Sequence, residues 1–119
     1  MTLEQLQQKF PHATEDTWHQ HTNGSGWIQN TAQVASSVYV GEDALVYENA
    51  SVSGFATVTG NARIYGNAGI SGNALVYGNA RVFGHARVSE DTWMAGDVEV
   101  SGTATVSGNS QVFGNVRLC

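Results

Sequence analysis

The chain has 119 residues, a formal net charge of −5, only 13% charged residues, 14 Gly and a single Cys, the terminal Cys119. That length bounds one domain, and one Cys excludes an intrachain disulfide and fits a reducing compartment. The acidic balance disfavours nonspecific attraction to nucleic acid or anionic lipid.

The opening "MTLEQLQQKF" is polar and carries no apolar core of a signal peptide. No stretch reaches the length of a membrane span. Thr2 is placed to N-cap a short helix running to Phe10, and Pro11 stops it. Leu3, Leu6, Phe10, Trp18 and Trp27 are too large for the small-residue phrase that follows. Residues 1–25 therefore read as a helix/loop cap over the first coil of a repeat, shielding a sheet edge. "WHQH" (Trp18 to His21) sets two His at i, i+2, but no third ligand stands at a diagnostic spacing, and no metal or other cofactor is expected. "TEDT" (Thr14 to Thr17) has the Thr-x-x-Thr pattern of a capped turn. "NGSGW" (Asn23 to Trp27) follows no identifiable strand and lacks the Lys of a phosphate loop, so it reads as the turn leading into the first coil.

From residue 26 to 119 a six-residue period dominates. Every sixth residue from Val34 to Leu118 is apolar without insertion, and a small residue, most often Ala, stands two positions before most of them. Gly recurs two positions after, often followed by Asn. Small-x-Val alternates with period two, which makes a very short strand with Ala and Val on one face. Gly-Asn reads as a turn, because both residues tolerate positive φ. A six-residue unit cannot bury its apolar face alone, so the units must stack as a solenoid.

"GNARIYGNAGISGNALVYGNARVFGHARV" (Gly60 to Val88) resembles the hexapeptide-repeat family, in the simple G-N-A-x-V form found in bacterial and phage proteins. The spacing from aliphatic to small residue matches the family phrase. The Gly stands two residues after the aliphatic instead of directly after it. The resemblance covers about residues 26 to 119 and implies an all-β fold: a single-stranded, left-handed parallel β-helix of about five triangular coils. Handedness rests on the resemblance alone, because ordinary parallel crossovers are right-handed, and a right-handed coil is the alternative. The resemblance also implies three units per coil, which puts residues 18 apart in one stack, about 4.8 Å from each other.

That register assigns three outer faces. The first carries Leu45/Tyr47, Arg63/Tyr65, Arg81/Phe83, Glu99/Ser101 and Arg117/Cys119. The second carries Tyr39, Thr57/Thr59, Leu75/Tyr77, Trp93/Ala95 and Gln111/Phe113. The third is small and polar and faces solvent. Tyr, Trp and Arg are enriched at interface hot spots, and the asymmetry among faces is not required by strand propensity. The candidate protein-binding residues are therefore Tyr47, Arg63, Tyr65, Arg81, Phe83 and Arg117 on the first face, with Tyr39, Leu75, Tyr77 and Trp93 on the second.

The phrase is broken twice. His85 stands where other units carry Asn, and "SEDTWM" (Ser89 to Met94) keeps the apolar register while changing the corner. Family members include acyltransferases that use a His as general base, beside a loop excursion that is absent here, and carbonic anhydrases whose histidine set this chain lacks. The leading expectation is a non-enzymatic module that binds a protein partner, a further copy of itself as homodimer or homotrimer, or both. A phage-encoded inhibitor of a host defence complex in the bacterial cytoplasm is its concrete form by analogy. The alternatives are a minimal acyltransferase with His85 as base and a structural virion or filament component stacked through the open last coil.

Overall fold

The computed structural model describes all 119 residues. Helix Leu3–Lys9 is capped by Thr2 and Gln5 in a reciprocal capping box, and the Phe10 N–H closes it onto the Leu6 carbonyl at 2.9 Å. A strand Trp18–Gln20 then pairs antiparallel with Trp27–Gln29. From Trp27 onward the chain winds as a parallel β-solenoid of about five coils, inside extents of 37 × 26 × 21 Å.

Three sheets form its sides. The first face is seven-stranded and starts with the antiparallel Trp18–Gln20 strand; the other two are five-stranded and wholly parallel. The 18-residue register holds throughout: Leu45 pairs with Arg63, Arg63 with Arg81, Arg81 with Glu99 and Glu99 with Arg117. Each coil donates its backbone N–H groups to the next, as from Arg63 to Ala80 and from Tyr65 to Val82, both at 2.9 Å. Two-residue strands are too short to stand alone, and this ladder is what satisfies their backbone.

Inside lies one apolar cluster of 24 buried residues, the Val/Ile column with the Ala column at the corners. Met94 keeps the column's place and is fully buried, so the coil persists through "SEDTWM". There the buried Thr92 donates its hydroxyl to the Ser89 carbonyl at 2.8 Å, and Glu90 takes the turn with φ 61° where most units have Gly.

Two expectations are corrected. The turn Asn residues do not adopt positive φ; among non-Gly residues only Ser25, Glu48 and Glu90 do. The Asn side chains instead build ladders up the corners, from Asn61 Nδ2 to Asn79 Oδ1 at 3.4 Å and from Asn79 Nδ2 to Asp97 Oδ1 at 3.1 Å. The N-terminal segment is also more than a helix/loop lid on the first coil. It contributes a strand, and it packs on the side of the solenoid as well as over its edge: Leu6, Ala13 and Trp18 form a second core with Trp27, Leu45 and Tyr47.

Candidate functional site

The first face carries a column of rings. Tyr47 and Tyr65 stack with centroids 4.9 Å apart and planes 6° apart, and Tyr65 stacks on Phe83 at 5.0 Å and 4°. In-register strands force this arrangement, because side chains one coil apart project in parallel. Tyr47 does not belong to an open contact surface as expected. It is 9% exposed, with Phe10 packed edge-on at 4.8 Å and Trp18 at 6.0 Å. The cap needs an apolar seat, and Leu45 with Tyr47 supplies it. Burial pushes the Tyr47 phenol up from its ordinary value, with the Arg63 charge acting in the opposite sense. Tyr65, next in the column and only half-buried, is raised for the same reason.

Beside the rings run the cations. Arg63 and Arg81 are adjacent in register, and neither has a carboxylate within ion-pair reach. Glu99 pairs with Arg117 at 3.6 Å, a largely exposed contact that contributes little to stability.

The second face is the more open one. Leu75 and Trp93 are in register, as are Trp93 and Gln111, and Ala95 and Phe113. Trp93 is 45% and Phe113 48% exposed, while Leu75 and Tyr77 are half-buried and Tyr39 is exposed at the far end of the sheet. Phe113 lay on this face by register but was not singled out among the candidates. Phe55, missed altogether, is 73% exposed at a corner. Its signal was there to read: it stands one coil below Asn73, in a place where most units have Asn.

The histidines fall into separate places. His21 is buried, and its Nε2 donates to the Val38 carbonyl at 2.7 Å. His19 Nδ1 donates to Asn30 Oδ1 at 2.7 Å. His12 and His85 are exposed, and His85 lines none of five clefts on the surface of the solenoid and its cap. No group of three or more His, Cys, Asp or Glu side chains comes together as a metal would need. Thr14 and Thr17 do cap the turn between them, with the Thr14 N–H 3.1 Å from Thr17 Oγ1. "NGSGW" is the lead-in turn, and the Gly26 N–H donates to Val40 at 2.9 Å. No helix is long and apolar enough to cross a membrane.

Fold and faces define a small parallel β-solenoid of six-residue units, capped at its N-terminal end, with aromatic side chains gathered on two of three sides and three of its four arginines on the first. The family described as YdcK Beta solenoid repeat matches residues 70–82, so that stretch of the second and first faces is similar to a repeat of that family. No curated protein and no solved structure matches the chain.

Proposed function

We propose that this chain is a non-enzymatic binding or assembly module of the hexapeptide-repeat, left-handed kind, which offers the second face to a protein. The observation that carries the reading is the half-exposed Trp93, set in register between Leu75 and Gln111 with Phe113 beside it. A rigid sheet holds these rings in place, so contact with a partner costs little side-chain ordering. Tyr39 and Tyr77 extend the surface along the same sheet. On the first face Tyr65, Phe83, Arg63, Arg81 and Arg117 remain candidates, while Tyr47 leaves the set because the cap covers it. The partner is a foreign protein or a further copy of the chain, as homodimer or homotrimer. An inhibitor carried by a phage against a host complex in the bacterial cytoplasm is the concrete form of the first case, by analogy of repeat type.

Size exclusion with light scattering, on the native chain and on Trp93→Ala, tests this. A dimer or trimer that dissociates in the variant supports self-association through the second face. A native monomer turns the test to capture from bacterial lysate with both forms as bait. If neither mass nor any captured protein depends on Trp93, the second face is not the binding surface. A minimal acyltransferase with His85 as base would instead show saturable acyl-CoA binding that is lost in His85→Ala. A filament component would elongate with concentration.

A further inference from the structure

Lys9, Arg63 and Arg81 are three of the five Lys and Arg residues in this acidic chain, and all three line one cleft. The cleft measures about 510 Å³, and its other lining residues are Asp43, Asn61, Asn79 and Asp97, with no apolar side chain among them. Three separate elements supply the cations. Lys9 comes from the last turn of the capping helix, and Arg63 and Arg81 come from successive coils in register. The two carboxylates already have partners: Asp43 faces the Met1 ammonium at 3.7 Å, and Asp97 accepts from Asn79 Nδ2 at 3.1 Å. The three cations have no carboxylate within ion-pair reach. Two arginines in register on strands about 4.8 Å apart bring like charges to one wall of the cleft, and an anion between them turns that repulsion into attraction.

We propose that this cleft binds a phosphate group, free or as a monoester. Arg63 and Arg81 grip it from one wall, Lys9 approaches from the capping helix, and the Asn61 and Asn79 amides supply neutral donors. The shape of the donor set selects the anion class. Cations from three elements match a tetrahedral group presenting three oxygens better than a planar carboxylate presenting two. The site is independent of the second face, so its failure would leave the binding-module reading standing, and the reverse also holds.

The test is a titration of the full chain with inorganic phosphate and, separately, with glycerol phosphate. Chloride replaces anion at constant ionic strength, and NMR follows the Arg side-chain N–H and Asn side-chain amide signals. The expected result is saturable movement of Arg63, Arg81, Asn61 and Asn79 signals with either probe, while Arg87 on the third face stays still. Glycerol phosphate binding as tightly as free phosphate admits esters, whereas binding of inorganic phosphate alone restricts the site to the free ion. Arg81→Gln, at an exposed position, should weaken binding about tenfold or more, the value of a charge-assisted hydrogen bond, and Arg87→Gln should not. Shifts that fail to saturate, that appear equally at Arg87, or that survive Arg81→Gln would overturn the site. Malonate binding more tightly than phosphate would overturn the assignment of anion class.

Discussion

Tyr47 and Tyr65 are stacked face to face at 4.9 Å, yet Tyr47 is buried in the core of the cap while Tyr65 lies half-buried at its margin. The relationship predicts unequal costs of truncation. Tyr47→Ala removes the seat of Phe10 and Trp18 and should destabilise by about 3 to 5 kcal/mol, the range for a large buried ring. Tyr65→Ala, half-buried, should cost clearly less. Chemical denaturation of both variants checks the order, and equal costs would mean that the cap does not seat on Tyr47.

The same burial sets a pH dependence. Unfolded tyrosine loses its proton near pH ~10. In the fold the Tyr47 and Tyr65 pKa values are raised, mainly by desolvation. Between the unfolded and folded values the native state therefore holds more protons than the unfolded state, and stability falls as pH rises. It should be complete below about pH 10 and decline above it, and the decline should be smaller in Tyr47→Phe. Denaturant midpoints across the alkaline range, read beside tyrosinate absorbance, test the sign.

Backbone approach makes one glycine far less replaceable than another. Gly78 has φ 72°, and a Cβ there would lie 2.6 Å from the Gly96 nitrogen one coil above. Gly108 has φ 75° but open space around it. Gly108→Ala should cost only the left-handed penalty, about 1 to 2 kcal/mol, and Gly78→Ala distinctly more, because backbone must move. Conversely Glu90, with φ 61° in a place occupied by Gly72 one coil below, should gain up to about 1 kcal/mol as Glu90→Gly. Thermal melts of the three variants decide it.

His21 closes the edge of the first coil. With its ring donating to the Val38 carbonyl, His21→Ala should leave that acceptor unpaired and cost about 1 to 2 kcal/mol. Added zinc should not alter the melting temperature of the native chain. Zinc-dependent stabilisation lost in His21→Ala would show ligation in place of the edge contact.

Much of the solenoid was legible in the residues themselves. A strict six-residue period with Val inside and Gly at the turn must stack to bury its apolar face, so the coil follows from spacing; three units per coil, and with them the 18-residue register and the composition of each face, are what the resemblance to the hexapeptide-repeat family implied. The persistence of the coil through Ser89 to Met94 follows too, because Met94 keeps the apolar place. The Trp18–Gln20 strand was not legible, because three residues outside the repeat carry no periodicity and their pairing with Trp27–Gln29 is a tertiary choice.

The chain's own order of residues determined what stacks on what: Tyr47 under Tyr65, Arg63 under Arg81, Leu75 under Trp93. Only the tertiary structure decided which of those stacks meets water. The capping segment lies outside the repeat and folds back on one side of it. It buried Tyr47 and Leu45, brought Lys9 to the two arginines and left Trp93 uncovered. Periodicity fixes neighbours along a coil axis, whereas the docking of an aperiodic segment depends on shape and apolar contact between residues far apart in sequence.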